Sequence, residues 1–374
     1  MTETRQPFDI KIFTVVLILI GIGIAFMYGA SARFAERLFV DRSYFFNRQV
    51  IYAVCSFLLI LFVSRMNPRV FFRLSNLLLV LTIVSLVLVL IPGIGIEKNG
   101  ARRWIPLGLF NFQPSEIAKV TLLIFLSKRL VERENVRDMF TKSILPNLLM
   151  IGLIFTLVFV EEDFSTSVVI LLSALSLLFV AGVPFQYFVY LAATGIPIVF
   201  FLITSFGHMK IRLSSYLNKI FWGGYVSYQE KQAIKAIENA GFFGNGLGIG
   251  SNNARIPESH TDFYFMNIVA DIGLIGGLFT LFLFFYLFWR AFKLAYELQD
   301  KGYSYLVYSI TIFIVWQTIL NIGGVLGLLP IAGLPLALLS FGGNSLISTS
   351  FGIGIILAIS RFHPKREKND NVSF

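Results

Sequence analysis

Charge is scarce in this chain: 14% of its 374 residues are Asp, Glu, Lys or Arg, against 56% hydrophobic residues and a mean hydropathy of +0.77. That balance excludes a soluble globular protein, in which charged residues make up about a quarter. Histidine is rarer still, at three residues, and no HExxH pair occurs. A set such as Glu258, His260 and Asp262 therefore lacks the second histidine cluster that a tightly held zinc calls for. No GxxxxGK[ST] loop is present to cradle a nucleotide phosphate, and no GxSxG elbow to support a Ser/His/Asp triad. The single cysteine, Cys55, lies inside an apolar run, which excludes an intramolecular disulfide. The alternation of a membrane barrel, internal repeats and low-complexity tracts are also missing.

Long apolar runs are abundant. They cover residues 10–30, 49–64, 74–91, 115–130, 144–160, 166–181, 185–205, 263–289, 305–328 and 343–360. A hydrocarbon core about 30 Å thick takes about 20 residues of helix, so the chain is predicted to be a single all-α polytopic membrane domain with ten transmembrane helices. The first run is too long for a cleavable signal core and reads as a retained helix. Lys and Arg concentrate in alternate connections: 17 in residues 1–11, 65–73, 128–142, 290–301 and 361–374, against seven in 33–48 and 98–103. By the positive-inside rule both termini are cytoplasmic, and residues 361–374 form a cytoplasmic tail. The net charge of +10 then marks loops beside anionic lipid and calls for no nucleic acid.

Two outer connections are too long to be turns. Residues 92–114 turn at Pro92-Gly93 and Asn99-Gly100 and carry Arg102, Arg103 and Trp104 in a compact cationic loop, before Gln113-Pro114-Ser115-Glu116 opens the fourth helix. Residues 206–262 form a large extracytoplasmic loop between helices 7 and 8. Within it, 227–238 interleave polar and apolar positions, predicting a helix along the membrane surface, and a glycine series runs from Gly241 to Gly250. Charges in or beside the spans each need a reason, since one at a helix centre costs roughly 3 kcal/mol unless paired or hydrated. Glu116 and Lys119, three apart, share a face and can pair; alternatively Glu116 complements the helix N-terminus while Lys119 snorkels outward. Glu161, Glu162 and Asp163 crowd an outer turn, either solvated or with Asp163 facing a cavity. Asp271, roughly 13 Å into the eighth span, must face protein or a partner rather than lipid.

The stretch 257–265, Pro-Glu-Ser-His-Thr-Asp-Phe-Tyr-Phe, lies where the long polar loop meets the eighth apolar run. A carboxylate there stays wet enough to ionise while facing a lipid-borne substrate, which makes Asp262 the candidate catalytic residue. The plainer reading is that Thr261 or Asp262 caps the helix that follows.

Gly100-Ala101-Arg102-Arg103-Trp104-Ile105, followed by Phe112-Gln113-Pro114-Ser115-Glu116-Ile117-Ala118-Lys119, closely resembles the loop and fourth helix of the SEDS proteins (shape, elongation, division and sporulation), typified by RodA and FtsW. Residues 257–265 resemble that family's PEAHTDFIF segment, residues 333–345 its GLPLPFISYGGSS signature, and Arg48-Gln49 its RQ before the second span. Ala337, Leu338 and Asn344 depart from the usual Pro, Phe and Ser, while Glu162-Asp163-Phe164 and Asp271-Ile272-Gly273 stand near the usual PDLG and ELG.

The resemblance implies a peptidoglycan polymerase that joins lipid II into glycan strands at the outer face of the bacterial plasma membrane, in cell elongation or division. Asp262 would take the proton from the acceptor 4-hydroxyl, with inversion at the donor's anomeric carbon. Arg48, Arg103 and Lys119 would meet the substrate's pyrophosphate, and Trp104, Gln113, Ser115, Glu116, Asp163, His260, Thr261, Ser340, Gly342, Gly343 and Ser345 would line its site. A loosely bound divalent cation, Mg²⁺ or Mn²⁺, would have Asp262 as a ligand. The implied partner is a class B penicillin-binding protein whose transmembrane helix packs near helices 8 and 9, around Asp271, Gly273, Gly276 and Gly277. A lipid II flippase and a non-catalytic scaffold of the cell-wall machinery are the alternatives. A flippase needs polar groups lining a path across the bilayer, whereas the charges here cluster at the outer ends of spans.

Overall fold

The computed structural model describes residues 7–98, 100–108, 110–134, 139–205, 207–223, 227–250, 256 and 259–362; Pro257, Glu258 and the tail from residue 363 lie outside these. Helix dominates because a chain in lipid must satisfy its backbone polar groups within each segment. In order the helices are α1 (Ile10–Ala25), α2 (Met27–Phe39), α3 (Tyr44–Val63), α4 (Arg69–Leu90), α5 (Pro114–Glu132), α6 (Leu145–Val160) and α7 (Phe164–Val180). Then come α8 (Phe185–Ser205), α9 (Gly207–Trp222), α10 (Tyr228–Ala240), α11 (Tyr264–Glu297), α12 (Lys301–Val325) and α13 (Gly343–Phe362). Among the described residues, six apolar helices are long enough to cross a membrane, α1 and α2 counting as one with α3, α4, α11, α12 and α13; α6 and α7 are apolar but shorter. The chain is an all-α polytopic membrane protein, and each of the ten apolar runs lies on a helix.

The helices enclose a polar-lined centre. α13 packs on α3 and α12, and α12 packs on α11, α7 and α5. α5 carries charge at both ends, with Glu116 and Lys119 buried near its start and Lys128, Arg129 and Glu132 near its end, and its middle is buried and largely apolar. At the opposite end Asp9 caps α1, accepting from the amides of Lys11 and Ile12, and pairs with Arg290 of α11 at 2.5 Å. Its own amide donates to Ser360 Oγ, so one acidic residue ties the start of α1 to α11 and α13.

Two features depart from the sequence reading. The cationic loop is a small antiparallel sheet, β1 (Ile96–Lys98), β2 (Ala101–Pro106) and β3 (Asn111–Phe112) in that order, with Trp104 opposite Ile96. Its strands are too short, and too much interrupted by turn residues, for a period-2 signal to stand out.

The second departure is in α11, which breaks at Gly273 (φ 74, ψ −170) rather than running straight. The break frees main-chain groups, and the glycine series covers them. The amides of Leu274 and Ile275 donate to Gly241 O and Phe242 O, and those of Asn245 and Gly246 to Ala270 O and Asp271 O. Asp271 Oδ2 accepts from the Gly248 amide at 2.8 Å. A Cβ on Gly244 or Gly250 would overlap the main chain at Ala270 or Asp271, so the close approach requires glycine. Asp271 thus faces protein, as expected, but the protein is the chain's own glycine series. The expected partner seam needs correcting for the same reason: Asp271, Gly273, Gly276 and Gly277 are all buried within this chain, and the exposed side of α11 is Leu274, Leu278, Phe282 and Phe285. The predicted loop helix exists as α10, capped by Ser227, and it packs on α11.

Candidate functional site

Asp262 sits in a non-helical turn, residues 259–263, whose every neighbour is fixed. Ser259 Oγ donates to Ala30 O, and Asn267 Nδ2 donates to Ser259 O at 2.9 Å. The Phe341 amide donates to His260 O, and Tyr264 Oη donates to Gly23 O at 2.6 Å. Asn321 Nδ2 donates to Asp262 O at 2.8 Å. The N-cap of α11 is Phe263, with no side-chain cap bond of its own, which puts Asp262 one residue ahead of the N-cap position. Its carboxylate is half-buried and turns toward Gly333: a Cβ there would lie 3.5 Å from Oδ2. Asp262, Asn321, Gly324, Ala332 and Gly333 line a small recess.

The wall opposite is an irregular segment, residues 334–341, in which Leu334 and Leu336 to Ser340 are buried and Pro335 is half-buried. Non-helical main chain at this depth needs side-chain partners. Gln317 Nε2 donates to Pro335 O and Ser345 Oγ, Asn321 Nδ2 to Leu334 O, and Gln49 Nε2 to Leu339 O and Ser340 O. Ser340 Oγ accepts from the Leu336 amide. Gly23 admits the segment against α1, where a Cβ would overlap Leu339 O. Gly343 packs beneath the Tyr52 ring in the same manner. Ser340, Gly343 and Ser345 are therefore occupied within the fold, holding the wall in shape.

Glu116 and Lys119 do pair, at 2.8 Å, with side chains 4% and 1% exposed. Ser348 Oγ donates to Glu116 Oε2 at 2.7 Å, and Lys119 Nζ donates to Gln317 Oε1 at 3.0 Å, 5.4 Å from the Phe313 ring centre. Lys119 does not snorkel. It is enclosed, and it reaches the wall through Gln317.

The turn after α6 is buried rather than solvated, with Glu161 1% and Asp163 5% exposed. Asp163 caps α7 through the Thr166 amide and accepts from Gln113 Nε2 at 2.9 Å and Ser115 Oγ at 3.3 Å. Arg103 donates to the carbonyls of Glu161 and Glu162, and Ser165 Oγ to Ala332 O, which joins this cluster to the Asp262 recess. Neither Glu161 carboxyl oxygen has a hydrogen-bond partner among the described residues. Burial, and next the Asp163 carboxylate, push the Glu161 carboxyl up to about 9, with Arg103 opposing. Glu161 is therefore protonated at pH 7 in the folded protein and ionised once unfolded, so stability falls as pH rises from about 4.5 to about 9. Glu161→Gln keeps the shape and removes the titration. Its melting temperature should exceed that of the native protein by a margin that widens from pH 6 to pH 9; a margin independent of pH would show that Glu161 does not titrate in this window.

His260 is 2% exposed in a cage of Phe34, Phe45 and Phe341, with ring centres 4.2–5.6 Å away, and offers no open face to a substrate. Burial pulls its imidazole down to about 4, so it is neutral at physiological pH. Arg48 is exposed and stacks over Tyr44, outside this set of contacts. Trp104, Thr261 and Gly342 are half-buried. Among the described residues, no three His, Cys, Asp or Glu side chains come together as a metal cage. Sequence reading missed Gln317 and Asn321. Both were concealed as single amides in an apolar run, and their spacing of four, one helical turn, was the available signal.

A family model for cell cycle proteins, covering FtsW, RodA and SpoVE, matches residues 10–365. The chain is 33% identical over 365 residues to stage V sporulation protein E of Bacillus subtilis (strain 168), covering 97% of this chain and 99% of that protein. It is 32% identical over 356 residues to the probable peptidoglycan glycosyltransferase FtsW of Geobacter sulfurreducens, 95% of each chain. Among solved structures it is similar to a chain of a peptidoglycan synthase complex that coordinates polymerization and crosslinking, with a TM-score of 0.78, 25% identity, and 95% and 98% of the two chains covered. It also matches the rod shape determining protein RodA of Thermus thermophilus, with a TM-score of 0.68, 25% identity, and 95% and 97% covered.

Proposed function

The chain belongs to the FtsW/RodA/SpoVE family of cell cycle proteins, and from that membership we propose that it is a peptidoglycan glycosyltransferase that polymerises lipid II at the outer membrane face, with Asp262 as general base. The observation that carries the role of Asp262 is its place: a half-buried carboxylate facing Gly333 across a small recess, in a turn whose main chain is held by Asn321, Asn267 and Phe341. Such a carboxylate is set to accept a proton from the acceptor 4-hydroxyl as that oxygen attacks the donor's anomeric carbon. The C–O bond to the lipid pyrophosphate breaks from the opposite face, which inverts the configuration. Pre-organisation by the surrounding bonds keeps the base within reach of the hydroxyl.

Arg103, half-exposed beside the Asp163 cluster, and Arg48 at the head of α3 are the cations placed to meet pyrophosphate, whereas Lys119 acts through Glu116 and Gln317. Among the described residues Asp262 offers a single carboxylate, which fits a loosely held Mg²⁺ or Mn²⁺ that completes its shell with water and phosphate oxygens. When bound, such an ion supplies positive charge to the leaving pyrophosphate. An apolar groove of about 410 Å³ between α7, α8 and α12, lined by Leu175, Phe179, Phe188, Trp316 and Ile319, is suited to an isoprenoid tail. The class B penicillin-binding protein would pack its helix on the exposed side of α11 beside α12. Ten spans would put both termini on one side, and the bias of Lys and Arg toward the connections on that side makes it the cytoplasm.

That topology is tested with a membrane-impermeant thiol reagent in sealed cells lacking Cys55. Val40→Cys and Leu107→Cys should be labelled and Arg65→Cys should not; the reverse pattern inverts the orientation. The activity is tested with purified, partner-bound protein and lipid II, where glycan strands are expected. Passage of lipid II across vesicles without strand formation would favour a flippase.

A further inference from the structure

Asn321 is 4% exposed on α12, and its amide nitrogen donates to two main-chain carbonyls, Asp262 O at 2.8 Å and Leu334 O at 2.6 Å. A primary amide has two N–H donors, so both are committed. Both carbonyls belong to irregular backbone, one in the turn before α11 and one in the segment between α12 and α13. These are the two stretches on either side of the Asp262 carboxylate, which faces Gly333, the residue before Leu334. One side chain on a rigid helix therefore sets the spacing between the base and the backbone it faces. One turn earlier Gln317 holds the adjoining Pro335 O and accepts from Lys119 Nζ, so the same helix also aligns the Glu116–Lys119 pair with this wall. Asn321 Oδ1 is buried and accepts no hydrogen bond among the described residues, which shows that the residue is used for its donors.

We propose that Asn321 is a positioning residue for glycosyl transfer: it fixes the main chain of Asp262 relative to Gly333–Leu334 and so aims the carboxylate at the acceptor hydroxyl, without touching substrate itself. The proposal rests on the reading of Asp262 as base. A general base works within about 2.6–3.2 Å of its proton, and a misplacement of about 1 Å can cost a hundredfold. Position therefore controls turnover, while substrate affinity, set elsewhere, stays.

The test uses the purified, partner-bound protein with lipid II, below its melting transition. Asn321→Leu fills the volume without donors, and Asn321→Gln keeps the donors on a longer arm. Turnover per folded molecule should fall roughly tenfold to a hundredfold in Asn321→Leu, with lipid II affinity within about threefold of native, and Asn321→Gln should recover part of the loss. A packing role predicts the opposite order, with Leu tolerated and Gln not. Native turnover in Asn321→Leu, or a loss of affinity proportional to the loss of turnover, overturns the proposal. Should Asn321→Leu not fold, Asn321→Asp, equal in size and lacking the amide donors, is judged by the same outcomes. Asp262→Asn in the same preparation separates the two levels: if it is inactive while Asn321→Leu is fully active, only the positioning role fails, and if it is fully active the base reading fails with it.

Discussion

Glu116→Ala and Lys119→Ala should each lose about 3–5 kcal/mol of stability, several times what an exposed ion pair contributes. The two groups meet at 2.8 Å with side chains 4% and 1% exposed, so water does not reach either one when its partner is removed. Without Glu116, the Lys119 ammonium keeps only Gln317 Oε1 and the face of Phe313. Without Lys119, the Glu116 carboxylate keeps the Ser348 hydroxyl. Neither remainder balances a full charge in a low-dielectric interior. The double replacement removes both charges together, and its loss should fall short of the summed single losses by at least about 1 kcal/mol. Unfolding of the four proteins in one detergent, with denaturant or heat, measures the cycle. Single losses below about 1 kcal/mol would show that the pair is hydrated. Polymerisation should fall in both single variants, because Gln317 passes any shift of Lys119 to the wall at Pro335.

The helices were legible because lipid imposes a simple rule on composition, and each apolar run became a helix. Pairing of Glu116 with Lys119 was legible from a spacing of three. The break in α11 was not, since Gly273 reads as an ordinary small residue until the glycine series from Gly241 to Gly250 is seen filling it. That contact spans a distance in sequence that no local pattern encodes. The surroundings of His260 were hidden for a related reason: the resemblance implied a place in the substrate site, and the convergence of Phe34, Phe45 and Phe341 on its ring from three separate elements has no local signal. The irregular wall at residues 334–341 was visible as a motif, but the dependence of its main chain on Gln49, Gln317 and Asn321 appears only once α3 and α12 are placed beside it.

Asp262→Asn should fold, reach the membrane and bind its partner, yet polymerise lipid II slower by a factor of about 100 to 10,000. The amide has the size of the carboxylate and the same hydrogen-bonding oxygen, but it takes up no proton at neutral pH. Since the turn is held by Ser259, Asn267, Phe341 and Asn321 through other atoms, and the amide keeps an accepting oxygen where the carboxylate had one, the replacement leaves the turn intact. Stability should therefore stay within about 0.5 kcal/mol of native, as for a substitution that removes none of these supports. Asp262→Glu returns the carboxylate about one methylene out of place, and turnover between none and a small residue is expected. The imidazole of His260, enclosed by Phe34, Phe45 and Phe341, has no open face for the acceptor hydroxyl and cannot substitute as the base.

The decisive measurement is the rate of glycan-strand formation from lipid II by purified, partner-bound Asp262→Asn beside the native protein, with partner binding and melting temperature recorded on the same samples. Strand formation at least a hundredfold slower in a folded, partner-bound variant is the expected result. Strands made at the native rate would contradict the assignment of Asp262 as the base and leave the flippase and the scaffold as the functions to test.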